Sequence, residues 1–152
     1  MTGQAFFHAP SPIPAVIAVV IREGEALLVR RANPPDAGLW GFPGGKIEFG
    51  ETVADAALRE LKEETTVEAE ALDVITTLDI LVPSEDGGIR QHYILIAVTC
   101  RWLSGEPVAG DDALEARWFF VDELDPATLP MSADVDVIAR KAESMNGMTD
   151  RP

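Results

Sequence analysis

Apolar and polar positions change their spacing several times along the chain, and each change marks an element. "AVIAVVIREGEALLVRR", residues 15–31, holds two β-rich runs separated by Glu23-Gly24, which predicts a hairpin. "ANPPDAGLWGFPGG", 32–45, interrupts the pattern with paired prolines and a dense glycine cluster and reads as a loop. "KIEF", 46–49, is a short strand or the end of one. From Thr52 to about Glu64 the period becomes helical, with Thr52 in N-cap position and Asp55 three residues on. Ala54, Ala57, Leu58 and Leu61 fall on one face of that helix, the face expected to meet a sheet.

Farther on, "LDVITTLDILV" (72–82) and "HYILIAVTCRW" (92–102) read as strands around the turn "PSEDGGIRQ". "LSGEPVAGDD" (103–112) is a loop and "ARWFFV" (116–121) another strand. "SADVDVIARKAESM" (132–145) predicts a terminal helix with Val135, Ile138, Ala139 and Ala142 on one side. Residues 1–14, rich in proline and small side chains, are expected to form a loose arm, and 146–152 a frayed tail. Between them, 15–145 reads as one α+β domain, a mostly antiparallel or mixed sheet with helices packed on it.

Composition sharpens this picture in three places. A net charge of −14 over 152 residues repels nucleic-acid backbones and argues against a polymer partner. A small polyanion would meet the same repulsion unless metal cations mediated the contact. The single cysteine, Cys100, excludes an internal disulfide, and its strand-like surroundings make it a buried structural thiol. The run "AVIAVVI" is too short to span a bilayer, and the first residues lack the basic region of a signal peptide. A cytoplasmic protein with no membrane contact is the expectation.

The chemistry is concentrated in "RELKEET", residues 59–65. Glu60, Glu63 and Glu64 stand at i, i+3 and i+4, on an arc beside the apolar face rather than on the fully solvated side. Like charges at these spacings cost a helix roughly 0.2–0.5 kcal/mol per pair. Taken alone, the three would read as a solvated acidic surface. The glycine turn "GFPGG" just before the helix changes that reading, because it brings main-chain oxygens close to three carboxylates. Hard divalent cations want several such oxygens together. "GGK" does not make a phosphate-binding P-loop, since Trp40 and Ile47 stand where glycine and Ser or Thr are required.

Gly45 to Val67, "GKIEFGETVADAALRELKEETTV", resembles the Nudix box of the Nudix (MutT-like) hydrolases. Gly45, Glu51, Arg59, Glu60, Leu61, Glu63, Glu64 and Val67 fall in register with the family's pattern, and Thr66 departs from it where glycine is usual. The flanks "GLWGFPGG" and "ARWFFVDEL" extend the resemblance over most of the chain. A β-branched residue is disfavoured in the left-handed conformation that often ends a helix, so this helix should end differently or with strain.

The resemblance implies an α/β/α sandwich around a mixed sheet and a Mg²⁺- or Mn²⁺-dependent hydrolase of nucleoside diphosphates linked to another moiety. It implies Glu60, Glu63 and Glu64 as metal ligands, with the Gly44 carbonyl beside them, and Arg59 with Glu51 as a pair bracing the helix. The proton-accepting carboxylate is a box glutamate or one from "GDDALEARW", where Asp111, Asp112 and Glu115 are the candidates. Pro83, sixteen residues beyond Val67, resembles a feature of the ADP-ribose pyrophosphatases, though a proline is also an ordinary turn residue. Alternatives are a MutT-like nucleoside triphosphate pyrophosphohydrolase and a non-catalytic nucleotide sensor of the same fold. Trp40, Tyr93 and Trp118 are candidates to stack a base, with core roles the simpler reading. Arg30, Arg31 and Arg90 are candidates for phosphate or ribose, with solvated surface roles the simpler reading. Homodimers are frequent in similar proteins, and no sequence feature here demands one.

Overall fold

A computed structural model describes residues 10–149. Ile13–Arg22 forms β1 and Glu25–Arg31 forms β2, joined through Glu23 and Gly24 with φ of 49° and 81°. Two positive φ values in a two-residue loop suit the right-handed twist of the strands it joins. β1 begins at Ile13, two residues inside the expected arm; the rest of that arm up to residue 9 lies outside the described residues. β1 is apolar on both faces, Val16, Ala18 and Val20 on one and Ile17, Val19 and Ile21 on the other. Such a strand has to lie in the middle of a sheet covered on both sides.

Its pairings place it there. Strand β6 (Ile89–Ser104) runs parallel to β1, with Val16 opposite Ile96 and Val20 opposite Cys100. On its other side β1 pairs antiparallel first with β4 (Gly44–Lys46) and then with β2. β3 (Trp40–Gly41) and β7 (Ala113–Phe120) add antiparallel to β2, and β5 (Glu68–Pro83) adds antiparallel to β6. The seven strands therefore form a mixed sheet in which β5 and β6 make a long hairpin at one side. Trp40–Gly41 is a strand inside the stretch read as loop, and β4 starts two residues earlier than expected.

One helix covers each face. α1 (Val53–Thr65) packs Ala56, Ala57 and Leu61 on the face of Val16, Ala18 and Val20. Burying Leu61 completely contributes about 1.5–3 kcal/mol. The apolar stripe is rotated from the expected one: Ala54 is exposed and Ala56 is buried. That rotation carries Glu64 to the buried flank. α2 (Val135–Thr149) packs Val135, Ile138, Ala139 and Ala142 on the opposite face, with Val19, Leu28 and Ala97. It runs on past the expected end at Met145 as far as Thr149. The α/β/α sandwich with a mixed sheet is thus present in full, and Cys100 is fully buried in it, its thiol pushed up to about 12 by desolvation.

Candidate active site

The turn before α1 is set by steric exclusion at Gly44. A side chain there would collide with the Val16 carbonyl oxygen and stand 2.9 Å from the Ile17 Cα, so only glycine lets β4 lie this close to β1. Close approach brings the Gly44 N–H within 2.7 Å of Glu64 Oε2, to which it donates. Thr52 caps the start of α1, its hydroxyl accepting from the Asp55 N–H at 3.0 Å.

Arg59 ties the turn to the helix. Its Nε and Nη2 donate to the two carboxylate oxygens of Glu51 at 2.6 and 2.9 Å, a bidentate pair. Nη1 donates to Glu60 at 2.8 Å and to Glu63 at 3.3 Å, and Nη2 also to the Lys46 carbonyl at 3.1 Å. One guanidinium thus offsets three carboxylates that would otherwise repel each other. The Arg59 hydrogen bonds hold the Glu51 carboxyl down at about 2. Glu60 and Glu64 go the other way. Desolvation raises Glu60 despite Arg59, and pushes Glu64 up to about 8 despite the Gly44 N–H. Lys62 faces away and pairs with Glu68 at 2.9 Å.

Glu60, Glu63 and Glu64 line a cavity of about 280 Å³ together with Asp111, Asp112 and Arg31. A larger cavity of about 600 Å³ adjoins it, sharing Arg31, Gly44 and Gly45. Its walls are mostly apolar, with Ile80, Tyr93 and Leu95 from the β5–β6 hairpin and Ile138 from α2, and Ser132 and Asp36 among the polar groups. An acidic compartment opening onto an apolar one is the form of a site that handles a charged group at one end and a ring at the other.

The structure separates the candidates of the later loop. Asp111 and Asp112 face the glutamates, whereas Glu115 lies on β7 opposite Arg30, ion-paired to it at 3.0 Å and away from the acidic cavity. The two arginines of β2 are also split: alternation along the strand gives Arg30 to Glu115 and Arg31 to both cavities. Arg31, a candidate for phosphate or ribose with a solvated role as the simpler reading, lines both cavities, and the period of two separates it from Arg30. Of the three candidate aromatics, Tyr93 alone lines the larger cavity, where Phe42 joins it. Trp40 is buried edge-to-face against Phe119, and Trp118 carries the Arg22 guanidinium at 4.1 Å. Pro83 closes β5 opposite Ile89 and lines neither cavity. His92 sits on β6 with Asp79 at 3.6 Å; His8 lies outside the described residues.

A divalent metal is the group this donor set invites. All donors are oxygens, five carboxylates surround one cavity, and desolvation raises two of them, Glu60 and Glu64, so a further cation beside them would favour their charged form. As they stand, the glutamates are turned to Arg59 and Gly44, and among the described residues no three acidic, histidine or cysteine groups are gathered tightly enough to hold an ion. The donor chemistry fits a hard cation, while the side chains hold protein partners in its place.

Residues 11–140 match the model of the Nudix domain, and the chain belongs to that family. It is 37% identical over 113 residues to an ADP-ribose pyrophosphatase of Methanocaldococcus jannaschii, covering 74% of this chain and 64% of the archaeal protein. It is 32% identical over 136 residues to an RNA pyrophosphohydrolase of Erythrobacter litoralis, covering 80% of this chain and 83% of that one. Among solved structures, a MutT Nudix hydrolase of Burkholderia pseudomallei superposes with a TM-score of 0.73 at 28% identity, over 86% of this chain and 98% of that one. Among the described residues no helix is long and apolar enough to cross a membrane.

Proposed function

We propose that this chain is a metal-dependent pyrophosphohydrolase acting on a nucleoside diphosphate linked to another moiety, with ADP-ribose or a similar nucleotide sugar favoured. The observation that carries this reading is the joined pair of cavities, five carboxylates in one and apolar walls with Tyr93 in the other, meeting at Arg31. The archaeal relative named for ADP-ribose supports that substrate class.

Glu60, Glu63 and Glu64 would hold the ion, with the Gly44 carbonyl beside them and Asp111 and Asp112 across the cavity. A bound divalent cation would screen the pyrophosphate charge and lower the pKa of a water. Such screening would let a protein of charge −14 accept a polyanion. Arg31, at the junction of the cavities, offers its guanidinium to the phosphates; its Nε is already oriented by the Pro35 carbonyl at 3.0 Å. The apolar walls and Tyr93 seat the nucleoside and so fix which phosphate lies among the carboxylates. The attacking water's proton goes to a carboxylate of the same cavity. Glu60 and Glu64 accept short bonds from Arg59 and Gly44 and Glu63 a longer one at 3.3 Å, which makes Glu63, Asp111 and Asp112 the less engaged acceptors.

A product assay across ADP-ribose, other nucleoside diphosphate sugars, dinucleotides, nucleoside triphosphates and 5′-triphosphorylated RNA, with and without Mg²⁺, tests the reading. Preferred release of a nucleoside monophosphate from the diphosphate sugars, abolished by chelator, is expected. Turnover confined to triphosphates would move the chain to the MutT-like reading. Saturable binding with no product would make it a sensor.

A further inference from the structure

A helix leaves its last four carbonyls without partners inside the helix. In α1 these are Lys62, Glu63, Glu64 and Thr65, and all four are satisfied. The Thr66 N–H donates to Lys62 at 2.9 Å. The other three accept from a single distant segment: Asp111 N–H to Glu63 at 3.1 Å, Gly110 N–H to Glu64 at 2.8 Å and Val108 N–H to Thr65 at 2.9 Å. Segment 105–112 is therefore a cap for the helix that carries the glutamates, supplied from some forty residues away in sequence, and its N–H groups meet the negative end of the helix dipole.

The segment is pinned at both ends. At its start, Glu106 accepts from Arg22 at 2.9 Å, and Arg22 lies between the rings of Trp102 and Trp118 at 4.8 and 4.1 Å. At its end, the Asp112 carbonyl accepts from the Ala32 N–H at 3.0 Å, beside Arg31. Between these anchors the chain lies flat against the helix end at Gly110. A methyl there would drive into the Glu63 carbonyl oxygen and stand 3.2 Å from its carbonyl carbon. The obstacle is helix backbone, which cannot rotate aside as a side chain would. The next two residues are Asp111 and Asp112, the pair that shares the acidic cavity with Glu60, Glu63 and Glu64.

We propose that Gly110 is a positioning residue of the active site: having no side chain, it lets segment 105–112 seat on the carbonyls of α1, and so sets Asp111 and Asp112 opposite the glutamates. The inference rests on the metal-dependent reading above. It makes cap and site one device, since the bonds that finish the helix also place the second set of oxygens.

The test is Mn²⁺ binding to the full chain by titration calorimetry, with no nucleotide present, alongside turnover. Gly110→Ala is expected to weaken Mn²⁺ about 10–100-fold, the range for groups that orient metal ligands, and to lower kcat more than it raises KM. Asp111→Asn with Asp112→Asn, which leaves the backbone bonds in place, is expected to weaken Mn²⁺ comparably without lowering Tm. If Gly110 acts through these aspartates, adding Gly110→Ala to that pair weakens Mn²⁺ little further. Parental Mn²⁺ affinity in Gly110→Ala, or a full additional loss on the doubly substituted background, would overturn the proposal. Should Gly110→Ala not fold, parental Mn²⁺ affinity in the Asp111→Asn, Asp112→Asn protein would overturn it equally. The parent protein separates the two readings: no Mn²⁺ uptake and no chelator-sensitive hydrolysis there refutes the function proposed above, not the positioning alone.

Discussion

The two helices are close in length, 13 and 15 residues, and each covers one face of the same sheet, yet they handle charge in opposite ways. α2 sets opposite signs one turn apart: Arg140 donates to Asp136 at 3.1 Å and to the Leu124 carbonyl at 2.7 Å. This is the arrangement that stabilises a helix on its own terms. α1 instead sets three like charges side by side, two of them sunk toward the core, and relies on Arg59 to restrain Glu60 and Glu63 and on the Gly44 N–H to hold Glu64. A helix that only had to cover a sheet would have no reason for this. On the proposed function, α2 holds the sheet together, while α1 holds it together and carries the site as well.

The largest effect that tests the contrast is on turnover. Glu63→Gln is expected to reduce hydrolysis about 10²–10⁴-fold, the scale of a lost proton acceptor, with a far-UV spectrum and Tm like the parent's. Asp136→Asn on α2, assayed in parallel, should leave kcat and KM unchanged. Equal effects of the two would erase the distinction between the helices. In stability the contrast runs through the arginines. Arg59→Ala removes a mostly buried fork from four acceptors and should cost about 2–4 kcal/mol in denaturant unfolding. Arg140→Ala breaks an exposed i, i+4 pair and one backbone bond and should cost about 1 kcal/mol.

A smaller effect is visible in the pH dependence. Glu51 has its folded pKa depressed to about 2, so between that value and the usual carboxylate range the unfolded chain binds more protons. The stabilisation from the Glu51–Arg59 pair is present above about 4.5 and is lost as pH falls toward 2. Unfolding of Glu51→Gln measured over that window should be flatter than the parent's. A parallel pair of curves would show that the pair adds nothing. The smallest expected change is a gain. Thr66 ends α1 with φ 65° and ψ −2°, the left-handed conformation that a β-branched side chain resists. Thr66→Gly should stabilise by about 0.5–1 kcal/mol, read as a rise in denaturant midpoint.

How much of this was legible in the sequence follows from the range of the interactions. The N-cap at Thr52, the i, i+3, i+4 glutamates and the Arg59–Glu63 contact are set within a turn or two of helix, and spacing alone places them. Thr66 was readable too: the strain its chemistry implies is present in its φ. The apolar stripe of α1 was misread at one position because Ala54 and Ala56 are chemically identical, and the sheet decides between them. Glu115 could not be told from Asp111 and Asp112 by composition. What divides them is the cross-strand register of β7 on β2, which sets Glu115 against Arg30. The cap of 105–112 on α1 lay beyond reach for the same reason, since nothing local in "GEPVAGDD" says whose carbonyls it meets.

The meeting of the two cavities at Arg31 has a consequence for how such a molecule changes its diet. On the proposed function, bond breaking would rest on α1 and the segment that caps it, while the ring of the incoming molecule would meet side chains of the β5–β6 hairpin and α2. Different stretches of chain own the two tasks. Substitutions at Ile80, Tyr93 or Leu95 could therefore redirect the protein toward new molecules while leaving the scissors untouched.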